Sequence, residues 1–217
     1  MRSVRIFFEK KDTAVYISHL DLMRCFGRAL RRAEIPFWYT EGYNPHPHLV
    51  FALPLSLGNT GLCEAVDIRL TEDMQFDEIV NRLNNALPAG IRAISAAEPV
   101  NKITELAWSE FLIEAETFDP SAAEKLFSLF GGEQITVKKK NKKKQIVDID
   151  IKPMINKFSI AHDGGKLKIY VTLASGTNSN CSPSLVVDAA ASELGMGPAD
   201  FRVTHLSMLC SDMKAFK

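Results

Sequence analysis

No apolar stretch of this chain approaches the length needed to cross a bilayer. The opening MRSVRIFFEKKD also lacks the long apolar core of a secretory signal. A cytoplasmic protein without a membrane partner is the expectation. Cysteine is scarce: Cys25, Cys63, Cys181 and Cys210 are far apart and form no CxxC pair. That excludes a zinc ribbon and a disulfide framework and leaves reduced, mostly buried thiols as the reading. The CxxxCxxC spacing that holds a radical-enzyme iron–sulfur cluster is absent too, so no cluster or other cofactor is expected in the chain itself. GxxxxGK[ST] and GxSxG are missing. The G-x-G of Gly195 and Gly197 follows a helical pattern, where it reads as a C-cap, not a dinucleotide fingerprint. Net charge is missing as well, with 26 basic residues against 26 acidic ones.

What is present is concentrated basicity. Residues 138–144 read KKKNKKK, including Lys140, Lys142 and Lys143, and Arg24, Arg28, Arg31 and Arg32 crowd one predicted helix. Basic patches on a neutral average are compatible with polyanion binding. They are equally those of a solvated hairpin tip, which also protects a sheet edge, and an ordinary exposed helix face.

The periodicities give an α+β protein. VRIFFE (4–9) reads as a strand, KKD as a turn, and Ser18 opens S-x-x-D, a capping-box-like start. From there to Glu34, Leu22, Phe26, Ala29, Leu30 and Ala33 recur at the spacing of one buried helix face, with the four arginines opposite. Pro36 ends this helix and FWYT begins an extended segment. Residues 49–55 and 63–70 read as strands, 77–87 as a helix and 91–97 as a strand. This is the β-α-β-β-α-β order of a ferredoxin-like domain over residues 1–98. A linker at 99–106 follows, and the order recurs over 107–217: a strand at 108–116, and a helix to Phe130 with Asp119 as N-cap and Pro120 at N1. A hairpin at 134–140 and 145–151 carries the lysines at its tip. An additional, inserted hairpin is read at 157–161 and 167–173, then a Ser182-capped helix to Leu194 and a strand from Phe201 to Cys210. Tandem ferredoxin-like domains, the second with an inserted β-hairpin, are the expected architecture.

Residues 41–48, EGYNPHPH, carry two of the five histidines. Gly42 supplies an unusual backbone angle, while Pro45 and Pro47 fix their own φ and bias Asn44 and His46 to extended conformations. A stiff projecting loop follows. His46 and His48 supply two ligands where zinc wants three or four, so the alternatives are a short metal set completed by His19 and Asp21, or histidines bonded locally. No bound metal is expected. His19, near the first turn of the arginine helix, is either a neutral proton-transfer group beside a bound phosphate or a half-buried histidine bonded to a carbonyl. Asn44 and His46 are expected near His19 and the helix start, as an anion-facing site with His48 peripheral. Trp38, Tyr39 and Tyr43 read as aromatics on which bases could stack.

The segments SHLDLMR, RALRRA, GYNPHP and FALPLSLG, with the later VDIDIKPMI, resemble the bacterial radical SAM-linked, or radical SAM-associated, proteins, a domain of unknown function. The likeness covers nearly the whole chain. Members occur alone or fused behind a radical SAM module, which implies a radical SAM enzyme as partner. They usually carry Lys where this chain has His48. More distantly, tandem ferredoxin-like domains with an early histidine and basic surfaces resemble the repeat-associated RNA endonucleases of CRISPR systems. The expected function is therefore an accessory, RNA-binding module beside a radical SAM enzyme, not itself an enzyme. The alternatives are a metal-independent RNA endonuclease using His19 or His46 as general acid/base, and a protein-only adaptor.

Overall fold

The computed structural model describes residues 1–140, 145–177 and 179–217. Lys142 and Lys143 therefore lie outside the described residues. The chain forms two compact units, Met1–Ile103 together with Phe216–Lys217, and Thr104–Ala215.

The first unit contains β1 (Arg2–Lys10), α1 (His19–Arg32), β2 (Val50–Phe51), β3 (Thr60–Leu70), α2 (Phe76–Ala86) and β4 (Ile91–Ala97). All its strand pairs are antiparallel, in the order β4-β1-β3-β2. Alternation in β1 sends Val4, Ile6 and Phe8 to one face, where they are fully buried with Val66, Ile68 and Leu70 of β3. The apolar stripe of α1 covers that face through Leu22, Phe26, Ala29 and Leu30, and Ile79 and Leu83 of α2 complete the core. The expected cap forms: the Ser18 hydroxyl accepts from the Asp21 N–H at 3.2 Å and donates to the Asp21 carboxylate at 2.7 Å. On the other face of β1, Arg5 is fully buried. Its guanidinium grips both oxygens of Asp67 (2.7 and 2.8 Å), donates to the Lys217 carbonyl and lies 4.1 Å over the Phe216 ring. That cage places the last two residues in the first unit.

A short helical turn, Asp12–Tyr16, precedes α1. One local expectation shifts here. The strand expected at 49–55 contracts to Val50–Phe51. The pairing runs one bond further, from Ala52 N–H to the Ala65 carbonyl, and then meets Pro54, which has no N–H to give.

The second unit contains β5 (Leu106–Glu116), α3 (Ala122–Gly131), β6 (Thr136–Lys140), β7 (Ile146–Asp150), β8 (Ile155–Asp163), β9 (Lys166–Ala174), α4 (Pro183–Leu194) and β10 (Arg202–Cys210). Its sheet runs β10-β5-β9-β8, antiparallel throughout, and α3 packs on β8 and on α4. The hairpins exchange the roles read from the sequence. β8–β9, taken there as the insertion, belongs to the main sheet, while the lysine-bearing β6–β7 pair forms a separate two-stranded sheet. Burial explains the exchange. Leu167, Ile169, Val171 and Leu173 alternate along β9 and are all buried, whereas β7 exposes Ile146 and Val147. Asp119 is not the N-cap of α3. Its carboxylate instead accepts from the Ser121 N–H and hydroxyl and from Lys125, closing a turn that delays the helix to Ala122. Ser182 caps α4 as read, and Gly195 ends it at φ 64°.

Candidate anion-binding groove

The arginine stripe of α1 does not stand alone. The segment 38–48 folds back as a narrow loop beside the helix: Thr40 N–H donates to the His46 carbonyl (2.9 Å) and His48 N–H to the Trp38 carbonyl (3.2 Å). Gly42 sits at the loop end with φ 122°, which other residues resist. Tyr43 beside it is fully exposed. This loop carries both prolines, and it is laid against α1 at Gly27. A Cβ built on Gly27 would come within 3.0 Å of Pro47 Cγ, so only glycine lets the ring seat at this distance without displacement.

Helix and loop together enclose an open groove of about 320 Å³. Arg24, Arg28 and Arg31 line it from the helix and His46 from the loop, and Met23, Pro47 and Leu49 supply apolar surface. Among the described residues no carboxylate lines it. Arg24 is paired with Asp21 at 3.0 Å near the groove's end, and this contact, after that of Ser18, holds the Asp21 carboxyl below its usual range. Arg31 donates to the Tyr39 hydroxyl at 2.8 and 3.2 Å. Among the described residues Arg28 makes no hydrogen bond or ion pair.

His46 is held by its own loop. Its N–H donates to Thr40 Oγ1 (3.1 Å), and its Nδ1 lies 3.0 Å from Thr40 Oγ1 and 3.1 Å from the Asn44 carbonyl. A carbonyl only accepts, so the contact with Asn44 favours the proton on Nδ1 and leaves Nε2 as the ring acceptor. Asn44 thus contributes its backbone oxygen.

The remaining residues singled out by the sequence disperse. Arg32 turns away from the stripe and donates to the Ala86 carbonyl at the end of α2 (2.5 Å). His19 does not line the groove. It packs edge-on to Phe51, 5.3 Å between ring centres, beside the Phe8–Phe26–Phe51 cluster. Burial, reinforced by the positive charge of Lys10, lowers its pKa. Lys10 is itself only 1% exposed, its ammonium directed at the Val15 and Ile17 carbonyls that lead into α1. No contact joins His19 to His46 among the described residues, in contrast to the expectation. His48 faces away from the groove and lies against Trp38, whose other neighbour is the Arg69 guanidinium at 5.5 Å. Trp38 and Tyr39 are therefore half-buried and already engaged. Lys140 ends β6, in the other unit. Among the described residues no group of three or more His, Cys, Asp or Glu side chains could hold a metal ion.

Sequence reasoning missed Met23, Gly27, Thr40 and Leu49, and read Pro47 only as a stiffener of the loop and Tyr39 only as a stacking surface. Gly27 carried the readable signal: a glycine inside a helix costs about 1 kcal/mol relative to alanine, which marks a close approach.

The fold and groove define a mixed α+β protein with a basic, partly apolar surface site; among the described residues no helix is long and apolar enough to cross a membrane. The chain belongs to a family described as an uncharacterized protein conserved in bacteria, DUF2344, whose model matches residues 3–183. No curated protein matches it. Among solved structures, a chain of a Cbf5-Nop10-Gar1 complex aligns at TM-score 0.50 and 9% identity, covering 94% of this chain and 48% of that one. This chain thus spans about half the length of that relative, and the likeness concerns the fold. An unknown protein from Galdieria sulphuraria aligns at TM-score 0.28 and 13% identity, covering 94% of this chain and 98% of that one.

Proposed function

We propose that this chain is a cytoplasmic accessory module that binds RNA and works beside a separate radical SAM enzyme, built as tandem ferredoxin-like domains. The strand orders β4-β1-β3-β2 and β10-β5-β9-β8 support the architectural part, since each is the 4-1-3-2 order of a β-α-β-β-α-β unit once β6–β7 is taken as the insertion. The radical SAM partner rests on the sequence resemblance. The RNA reading is carried by the convergence of Arg24, Arg28, Arg31 and His46 on one groove without a lining carboxylate. Guanidiniums in such a row neutralise phosphates, and binding then falls steeply with salt. Lys138 and Lys139, exposed on β6, extend the basic surface of the other unit.

An endonuclease has less support from this arrangement. His19 packs on Phe51 outside the groove, so of the two candidate general acid/bases only His46 stands beside the arginines. The deciding experiment titrates a fluorescent RNA with the purified chain at several salt concentrations, and in parallel recovers tagged chain from bacterial cells under anaerobic conditions. Salt-steep RNA binding and co-recovery of an iron–sulfur radical SAM protein are the expected results. RNA affinity indistinguishable from that of a neutral control protein would leave the adaptor reading in its place.

A further inference from the structure

The groove carries more information than its charge. A surface evolved only for phosphates needs cations and water, yet here Met23, Pro47 and Leu49 form an apolar wall beside the arginines. His46 offers an acceptor at Nε2, because its Nδ1 faces the Asn44 carbonyl. Phosphodiester oxygens have no proton to donate to that acceptor, whereas a base amino group or a ribose hydroxyl does. The volume, about 320 Å³, lies at the small end of the roughly 300–1,000 Å³ range of small-ligand sites. The flank of α1 is also closed. Pro47 rests on Gly27, and Arg31 is tied to Tyr39 of the loop, so α1 cannot lie in a duplex groove as a free recognition helix. A-form RNA offers such a helix only a deep, narrow major groove in any case.

We propose, resting on the RNA reading above, that this groove takes one unpaired ribonucleotide of a single strand. The base lies against Met23, Pro47 and Leu49, His46 Nε2 accepts a hydrogen bond from the nucleoside, and Arg28 with Arg24 holds the flanking phosphates.

Fluorescence anisotropy tests this with four probes compared per phosphate: a 12-nucleotide single-stranded RNA, the same sequence as a duplex, an abasic strand and inorganic polyphosphate. The single strand should bind about tenfold tighter than the other three, the size of effect typical of one base held on a protein surface. Met23→Ala and Leu49→Ser should each reduce that preference severalfold while leaving polyphosphate binding in place. Equal affinity for all four probes, with all four lost together when Arg24, Arg28 and Arg31 become Gln, would overturn the nucleotide seat yet keep the polyanion reading. Single-strand affinity unmoved by the triple substitution would overturn both. Because the abasic comparison uses the unaltered chain, a poorly folded Leu49→Ser protein cannot obscure the result.

Discussion

The two histidines near α1 sit in opposite chemical settings. His19, at the helix start, is half-buried against aromatic rings, and that burial, with the buried Lys10 ammonium second, lowers its pKa. His46, midway along the helix, is exposed, held by its own loop and faced by arginines of which only Arg24 has an acid partner, Asp21, among the described residues. The first environment penalises charge and rewards packing. The second concentrates positive charge where water and a ligand can reach it. The helix therefore has a structural end and a ligand-facing flank, and substitutions should separate the two by what they damage.

The largest effect belongs to the structural end. Lys10 is buried with Glu64, whose charge opposes the lowering of the Lys10 pKa by burial, and its ammonium reaches the Val15 and Ile17 carbonyls. Lys10→Met removes a buried cation that neighbours Glu64 and leaves the Val15 and Ile17 carbonyls without its ammonium. Removing one member of a buried charged set costs ~3 kcal/mol or more, so urea unfolding should show a loss of that order. A loss below about 1 kcal/mol would mean that the buried lysine is dispensable and that the contrast drawn here is wrong.

Next comes the ligand-facing flank. Arg24→Gln, Arg28→Gln and Arg31→Gln together should weaken single-stranded RNA binding about tenfold and reduce the slope of log K against log salt by about 1.4, from the two phosphate contacts of Arg24 and Arg28 at ~0.7 each. Circular dichroism should remain that of the native fold, because all three side chains are exposed. If the triple variant unfolds instead, the arginines belong to the structural end after all.

These expectations also show how far the sequence could be read. α1 was legible to within a residue or two, because S-x-x-D and the Leu22-Phe26-Ala29-Leu30 spacing are local signals that agree with each other. The end of the arginine stripe was not. Arg32 has the right period, but the Ala86 carbonyl, 54 residues away in sequence, takes its guanidinium. Trp38 and Tyr39 looked like free platforms until Arg69, His48 and Arg31 closed on them, again from distant positions. The exchange of hairpins in the second unit has the same root. Both hairpins alternate, and only the non-local pairing of β9 with β5 decides which joins the sheet. The groove itself was half visible: Arg24, Arg28, Arg31 and His46, which line it, stood out in the sequence, while its apolar wall depends on Pro47 meeting Gly27 across a loop.

A smaller effect follows from the lowered His19 pKa. As pH falls through the unfolded value of about 6.5, the unfolded chain takes up a proton before folded His19 does. The unfolded state then binds more protons, so stability declines as the pH falls and recovers as it rises. The contribution is fully present above pH ~6.5 and is lost below it, down to the folded pKa. His19→Gln should flatten the stability difference between pH 7.5 and pH 5 measured by urea unfolding. An identical difference in the variant would show that the imidazole stays solvated and free to charge.

The smallest change in stability should come from His46→Ala, and it is the most diagnostic for that reason. The ring is exposed and its hydrogen bonds lie within its own loop, so its removal should cost under about 1 kcal/mol, as surface substitutions usually do. Binding should respond more strongly than folding. Losing the Nε2 acceptor removes one hydrogen bond to the nucleoside, typically ~1 kcal/mol and so about fivefold in affinity. The salt slope should stay unchanged, because no phosphate contact is lost. His46→Asn keeps a hydrogen-bonding side chain in the loop and should recover part of the affinity. A His46→Ala protein that binds RNA normally would confine recognition to the arginines. One that loses several kcal/mol of stability would move His46 to the same structural role as Lys10 and erase the distinction between the two ends of α1.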